Sequence, residues 1–257
     1  MALSRRELLA LPAAIAVAGL AGCATVGGRP AAPAQTGTTQ GSASTRTPTP
    51  TPTPRFDKTL YSIDDPSSVW VVVDKRRPLH PITYVPSDLV APKVLHTNPP
   101  LLRREAAAAV EHMFAAAKAE GVTLVSTSTY RSYVSQKKIL SQDTAQSGAA
   151  YANTIDMRPG YSEHQTGWAI DIGSSTRPEV DFDAKMATTP EGRWLAANAW
   201  RHGFTLSYPK NRESLTGILF EPWHFRYVGA SLASELHRTG TETLQEFFGL
   251  PSSPTYG

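Results

Sequence analysis

Four side chains in this 257-residue chain stand out by type and spacing: His164, Asp171, Glu221 and His224. Asp171 lies in the apolar run Trp168-Ala169-Ile170-Asp171-Ile172-Gly173. Strand alternation there sets Ala169, Asp171 and Gly173 on one face and Trp168, Ile170 and Ile172 on the other. A carboxylate flanked on its own face by Ala and Gly has space above it, and burying it unpaired costs several kcal/mol. It therefore needs a cation, and a metal ion is a good one. Two histidines and a carboxylate supply three ligands and leave a fourth position for water, the ligand count of a catalytic zinc site. Zinc lowers the pKa of that water to roughly 7. A carboxylate must then take the proton, and Glu221 stands close to His224 in sequence. The competing reading of the same residues is a buried His164–Asp171 ion pair with His224 in the core. The other histidines read as structural: His112 and His237 as solvated helix positions, His202 at a helix C-terminus where a cation suits the dipole, His80 and His96 in loops.

The elements that must position these residues follow from period and punctuation. Residues 69–73 are β-branched and predict a strand. Residues 101–120 are Ala-rich with helical spacing and stop at Gly121. A short strand is expected at 122–126, a helix at 133–146, a loop at 147–166 and a strand at 168–172. Thr189 is a good N-cap and Pro190 a good first helical residue for a helix that stops at Gly203. Strands are expected at 204–208 and 218–220, a helix at 230–239 ended by Gly240, and a last short helix at 244–248. Helices and strands intermix with short connections, which predicts an α+β fold with a mostly antiparallel central sheet flanked by helices.

Composition restricts the setting. The net charge of +3 resolves into +1 for residues 1–22, +3 for 23–56 and −1 for 57–257. The domain therefore offers no net basic charge to nucleic acid, and no nucleic-acid partner is expected. Cys23 is the one cysteine, which excludes an intramolecular disulfide and a cysteine-based zinc cluster. Residues 1–22 read as an export signal, with Arg5 and Arg6 ahead of an apolar run of 15 residues from Leu8 to Gly22, too short for a comfortable membrane span. Leu20-Ala21-Gly22-Cys23 resembles a bacterial lipobox, which implies cleavage before Cys23, a lipidated Cys23 and a membrane anchor. Ser4-Arg5-Arg6-Glu7-Leu8-Leu9 resembles a twin-arginine signal, leaving that route and the general one both open. Residues 23–55 contain almost no large apolar side chain, and the Thr-Pro run from Thr47 to Pro54 favours an extended polyproline II tether. One domain is expected over 56–250, followed by a tail at 251–257.

Ser162-x-His164-x-x-Gly167-x-Ala169-x-Asp171, followed by Glu221-x-Trp223-His224, resembles the VanY-type D-alanyl-D-alanine carboxypeptidases, zinc metallopeptidases that share a fold with lysostaphin-type enzymes and the hedgehog domain. Ser128-Thr129-Tyr130-Arg131-Ser132 with Gln136 resembles the family's Ser-Gly-Tyr-Arg-Ser motif, and the likeness spans residues 70–248. Thr129 departs from the family's usual Gly and adds bulk beside Arg131. The resemblance implies that His164, Asp171 and His224 ligate zinc, that Glu221 is the general base and that Arg131 stabilises the oxyanion or holds substrate. Ser128, Tyr130, Gln136 and Ser162 become candidate substrate contacts, with loop and helix capping as the alternative, and Trp223 stands at the substrate site with Tyr227 as part of its wall. The implied activity is removal of the terminal D-alanine from peptidoglycan stem peptides by an exported, monomeric enzyme facing the cell wall. L,D-carboxypeptidase or endopeptidase action of the same fold is the alternative, and a catalytically silent wall-binding module is a third reading.

Overall fold

The structure, a computed structural model, describes residues 56–257. The expected export signal, Cys23 and the expected Thr/Pro-rich tether lie outside the described residues.

Two short strands, β1 (Leu89–Val90) and β2 (Leu102–Arg103), pair antiparallel and lead into helix α1 (Arg104–Ala119). Strand β3 (Leu124–Ser128) follows, then α2 (Tyr133–Ser147) and α3 (Ala149–Ile155). Next come β4 (Ala169–Ser174), α4 (Pro190–Asn198), β5 (Phe204–Leu206), α5 (Glu213–Thr216) and β6 (His224–Tyr227). Helices α6 (Ala230–Thr239) and α7 (Leu244–Phe248) end the fold. Among the described residues, β3, β4, β6 and β5 form a four-stranded sheet in that order, and every pair is antiparallel. This is the expected α+β architecture.

The sheet separates apolar from polar chemistry. Ile170, Ile172, Phe225 and Tyr227 face the main core, where α1 contributes Ala106, Val110, Met113, Phe114 and Ala117. Alternation sends Asp171, His224 and Arg226 to the opposite face. A second core packs Trp70 and Val72 against Val228, Leu232, Leu236, Leu244 and Phe247.

Several expected boundaries differ. Residues 69–73 form no strand. The segment threads between the two cores, with Val71 and Val73 in one and Trp70 and Val72 in the other. Side-chain donors take the place of a ladder: Arg226 Nη2 donates to Val69 O and Val71 O, and Arg77 Nε to Val72 O. The β-branched residues thus specify an extended buried segment without a strand partner. Residues 218–220 are no strand either, because Gly217 in the left-handed region (φ 74) and Pro222 bracket them. The stretch 147–166, expected as loop, contains α3 and a 3-10 turn over Glu163–Thr166. The first helix starts at Arg104 because Leu102 and Arg103 pair with β1. The strand expected at 122–126 begins at Leu124, since Val122 N–H closes the end of α1 on Ala117 O. The helix from Thr189, whose hydroxyl accepts from Gly192 N–H, is α-helical only to Asn198, then continues as a 3-10 turn to Gly203 (φ 84).

Candidate active site

Sheet register builds the centre of the site. Asp171 lies opposite Ser128 on β3 and opposite His224 on β6, so three strands bring these residues abreast on the polar face. His164 comes from the 3-10 turn that precedes β4, and Gly167 (φ 73) lets the chain turn sharply from that turn into the strand. Ligand-type atoms of His164, Asp171 and His224 all lie within 4.8 Å of one another, and all three residues are buried. His164 Nε2 stands 3.2 Å from Asp171 Oδ2, and His224 Nδ1 stands 3.2 Å from Asp171 Oδ1.

The outer nitrogens of both rings are fixed from behind. His164 Nδ1 is 2.7 Å from Thr129 O, so it carries the proton, and the Nε2 lone pair faces the cluster. His224 Nε2 is 2.9 Å from Glu163 Oε2, which leaves Nδ1 facing the cluster. Histidines that hold a metal are oriented in this way, by a backbone carbonyl or a carboxylate on the far nitrogen. Glu163 also accepts from Ser207 Oγ and has the Arg226 guanidinium 4.0 Å away. Arg226 is fully buried and runs on to the carbonyls of Val69 and Val71. The Tyr208 ring sits 4.8 Å from the His224 ring and covers it.

His164 Nε2 and Asp171 Oδ1 are buried and make no hydrogen bond. A buried polar atom without a partner is costly, and a divalent metal among two imidazoles and a carboxylate satisfies both atoms at once. Burial alone would raise the Asp171 carboxyl, but His164 and His224 outweigh it and hold the group well below the usual range. Burial, then Arg131, pushes the His164 imidazole down to about 4, in the neutral form a ligand needs. Burial would lower His224 too, but the nearby Asp171 and Glu163 carboxylates raise it to about 10. Burial pushes the Glu221 carboxyl up to about 8 against the pull of His224, whose Nδ1 lies 3.6 Å from Glu221 Oε2.

The remaining expected residues divide. Arg131 reaches the cluster, with Nη2 4.0 Å from Asp171 Oδ2 and Nη1 3.6 Å from Asp156 Oδ1, and its Nε is buried without a partner. Gln136 is fully buried on α2; its Nε2 donates to Met157 O at 2.8 Å, and its Oε1 is left without a partner. Ser162 is buried at the start of the 3-10 turn, and Tyr130 is half-buried beside Arg131. Trp223 is not brought to the cluster. It packs against the main core, with its ring 6.0 Å from Phe182, because alternation from His224 turns it to the other face. The Thr129 hydroxyl accepts from Leu101 N–H at 2.8 Å, a contact Gly could not make. Sequence reasoning missed Glu163, Asp156, Tyr208 and the carbonyl of Thr129. Glu163 stood beside His164 in the motif, but neither its own spacing nor its composition signals that it closes on a ring 61 residues away.

A family model described as VanY, D-alanyl-D-alanine carboxypeptidase, matches residues 99–230. The chain is 39% identical over 194 residues to a putative carboxypeptidase, YodJ, of Bacillus subtilis, across 74% of this chain and 70% of that one. Among solved structures, the LdcB LD-carboxypeptidase aligns with a TM-score of 0.66 at 38% identity, over 73% of this chain and 88% of that one. A VanY D,D-pentapeptidase from a VanB-type vancomycin resistance cassette, solved in complex with Zn(II), aligns with a TM-score of 0.58 at 28% identity, over 69% of this chain and 97% of that one.

Proposed function

The chain belongs to the VanY family of D-alanyl-D-alanine carboxypeptidases, and from that premise we propose that it is a zinc D,D-carboxypeptidase that removes the terminal D-alanine from peptidoglycan stem peptides or their precursors. The observation that carries this reading is the convergence of His164, Asp171 and His224, with buried donor atoms that no protein group satisfies. His164 through Nε2, Asp171 through its carboxylate and His224 through Nδ1 are the residues that would hold the metal. When bound, zinc supplies Lewis acidity toward the scissile carbonyl and an acidified water as nucleophile. Glu221 takes the proton from the attacking water and returns it to the leaving amine; a carboxyl raised toward neutrality suits both transfers. Arg131 supplies a permanent cation for the developing oxyanion or for the substrate carboxylate, with Asp156 orienting its fork. Gln136, Ser128, Tyr130 and Ser162 are the polar contacts for the peptide terminus. Glu163 holds the His224 ring, fixing which nitrogen faces the cluster.

A second reading, L,D-carboxypeptidase action on a tetrapeptide stem, is favoured by one observation. The LdcB LD-carboxypeptidase is more similar to this chain, at 38% identity, than the VanY D,D-pentapeptidase, at 28%. Mass spectrometry of pentapeptide and tetrapeptide stems after incubation with the zinc-loaded protein separates the two. Loss of one alanine from the pentapeptide alone supports the first reading, loss from the tetrapeptide alone the second, and intact substrates in both tubes end both.

For location we propose a monomer anchored through lipid on Cys23, with residues 23–55 as the tether that lets the domain reach the wall. In cells, Cys23→Ser moves the protein out of the membrane fraction if this is right, and unchanged fractionation rejects it.

A further inference from the structure

Arg131 and Gln136 each leave a buried polar atom unpartnered, Nε and Oε1 respectively. The two side chains are held by neighbouring residues: Arg131 Nη1 is 3.6 Å from Asp156 Oδ1, and Gln136 Nε2 donates to Met157 O at 2.8 Å. Where 156–157 sits therefore decides where this pair of side chains sits. What holds the segment from behind is the far end of the chain. The Tyr256 hydroxyl accepts from Arg158 N–H at 2.7 Å and donates toward Met157 Sδ at 3.7 Å. Its ring lies 3.9 Å from the Arg158 guanidinium and meets the Tyr161 ring edge-on at 5.2 Å.

The last residues are themselves fastened, although they read as a tail in sequence. Ser253 is fully buried and donates its N–H to Leu215 O at 2.7 Å. Lys75 Nζ, on a buried side chain, donates to Asn153 O at 2.7 Å, Gly217 O at 2.6 Å and Pro254 O at 3.3 Å. One ammonium thus joins α3, the end of α5 and the tail. Gly217 admits this approach, since a Cβ there would lie 2.5 Å from Pro254 O.

We infer that Tyr256 is a positioning residue for substrate recognition: the C-terminal strap of residues 253–256, clamped by Lys75, fixes the 156–158 segment and through it Arg131 and Gln136. The inference rests on the carboxypeptidase reading for what Arg131 and Gln136 bind, and on contacts alone for the strap itself. Tyr256 makes no hydrogen bond to the ligand cluster or to Glu221, and the strap acts on binding in the case where Arg131 holds the substrate carboxylate rather than the oxyanion.

The test uses the full zinc-loaded chain with Tyr256→Phe, which keeps the ring and loses the hydroxyl, and Tyr256→Leu, which loses both. KM for the stem peptide rises roughly two- to tenfold in the Phe variant, the worth of one neutral hydrogen bond, and further in the Leu variant. Zinc content is unchanged and kcat stays within about twofold of wild type. The Arg158 amide, deprived of its acceptor, exchanges faster in both variants, and the side-chain resonances of Arg131 Nε–H and Gln136 shift. Unchanged KM in both variants, or a fall in kcat with KM intact, overturns the inference. If the wild-type protein releases no D-alanine from any stem peptide, the functional reading fails instead. The exchange and resonance data then still decide the strap, and their constancy in Tyr256→Phe rejects it.

Discussion

Two buried carboxylates stand along β4 and are treated in opposite ways. Asp171, in mid-strand, is 3% exposed; Glu191, in the first turn of α4, is 1% exposed and reaches back to the strand's end. Glu191 is saturated. It accepts from Ser174 Oγ at 2.8 Å, Ser175 Oγ at 3.2 Å, Thr176 N–H at 3.2 Å and the Thr176 hydroxyl at 3.1 Å. Asp171 faces two imidazoles and a guanidinium at 3.2–4.0 Å, yet its Oδ1 has no hydrogen bond. Equal burial therefore does not mean equal purpose. Glu191's neighbours are neutral hydroxyls and an amide whose hydrogen bonds offset its desolvation, and their result is a fixed loop between strand and helix. Asp171's neighbours are a guanidinium and two imidazoles, and they converge without satisfying it. Side chains that gather around a buried carboxylate and leave it unsaturated point to a cation-binding site, whereas those that saturate it point to structure.

The comparison breaks most sharply on removal of the metal. Chelation, or His164→Ala and His224→Ala separately, is expected to abolish peptidase activity and zinc binding together while circular dichroism keeps the fold. Full zinc occupancy in both variants, read by metal analysis, would sink the ligand assignment and leave the cluster a structural one, like Glu191. Next in size is Glu221→Gln, which keeps the side chain's volume but cannot accept a proton. Loss of a general base typically costs 10²–10⁴-fold, so kcat falls by about that factor with zinc retained. Turnover within about tenfold of wild type removes Glu221 from proton transfer, and loss of zinc makes it a ligand. The smallest effect falls on the saturated carboxylate. Glu191→Gln replaces an acceptor of several hydrogen bonds with an amide that turns an NH₂ toward hydroxyls. It is expected to cost about 1–3 kcal/mol, a melting shift of roughly 2–4 °C per kcal/mol at this chain length, with kcat, KM and zinc content unchanged. A Glu191→Gln protein that melts normally but loses zinc would erase the distinction between the two carboxylates.

Much of this was legible in the chain because it depends on local period and residue type. The alternation around Asp171, the Thr189 cap and the Gly240 stop need only their neighbours. The motifs around His164 and His224 pointed to a ligand set through their resemblance to a known family, whereas residue types alone left a buried His164–Asp171 ion pair open. Illegible were the features made by long-range closure. Residues 69–73 carry every sign of a strand, and only the arrival of Arg226 from β6 tells the segment that a side chain will take its carbonyls. Trp223 shares a motif with His224, yet sheet alternation turns it to the core, and a one-residue offset in register would have reversed the two.

Sequence alone supplied the residue types of the candidate site, two histidines with Asp171 and Glu221, and the family resemblance added Glu221 as candidate base and Arg131 as candidate cation. Tertiary structure decided the rest: that β4 and β6 pair with Asp171 opposite His224, that Glu163 closes behind His224, and that Asp156 and Met157 take hold of Arg131 and Gln136. The physical reason is the same in each case. A hydrogen-bond partner dozens of residues away is selected by packing and strand register, which belong to the whole chain and leave no mark on the spacing of either residue.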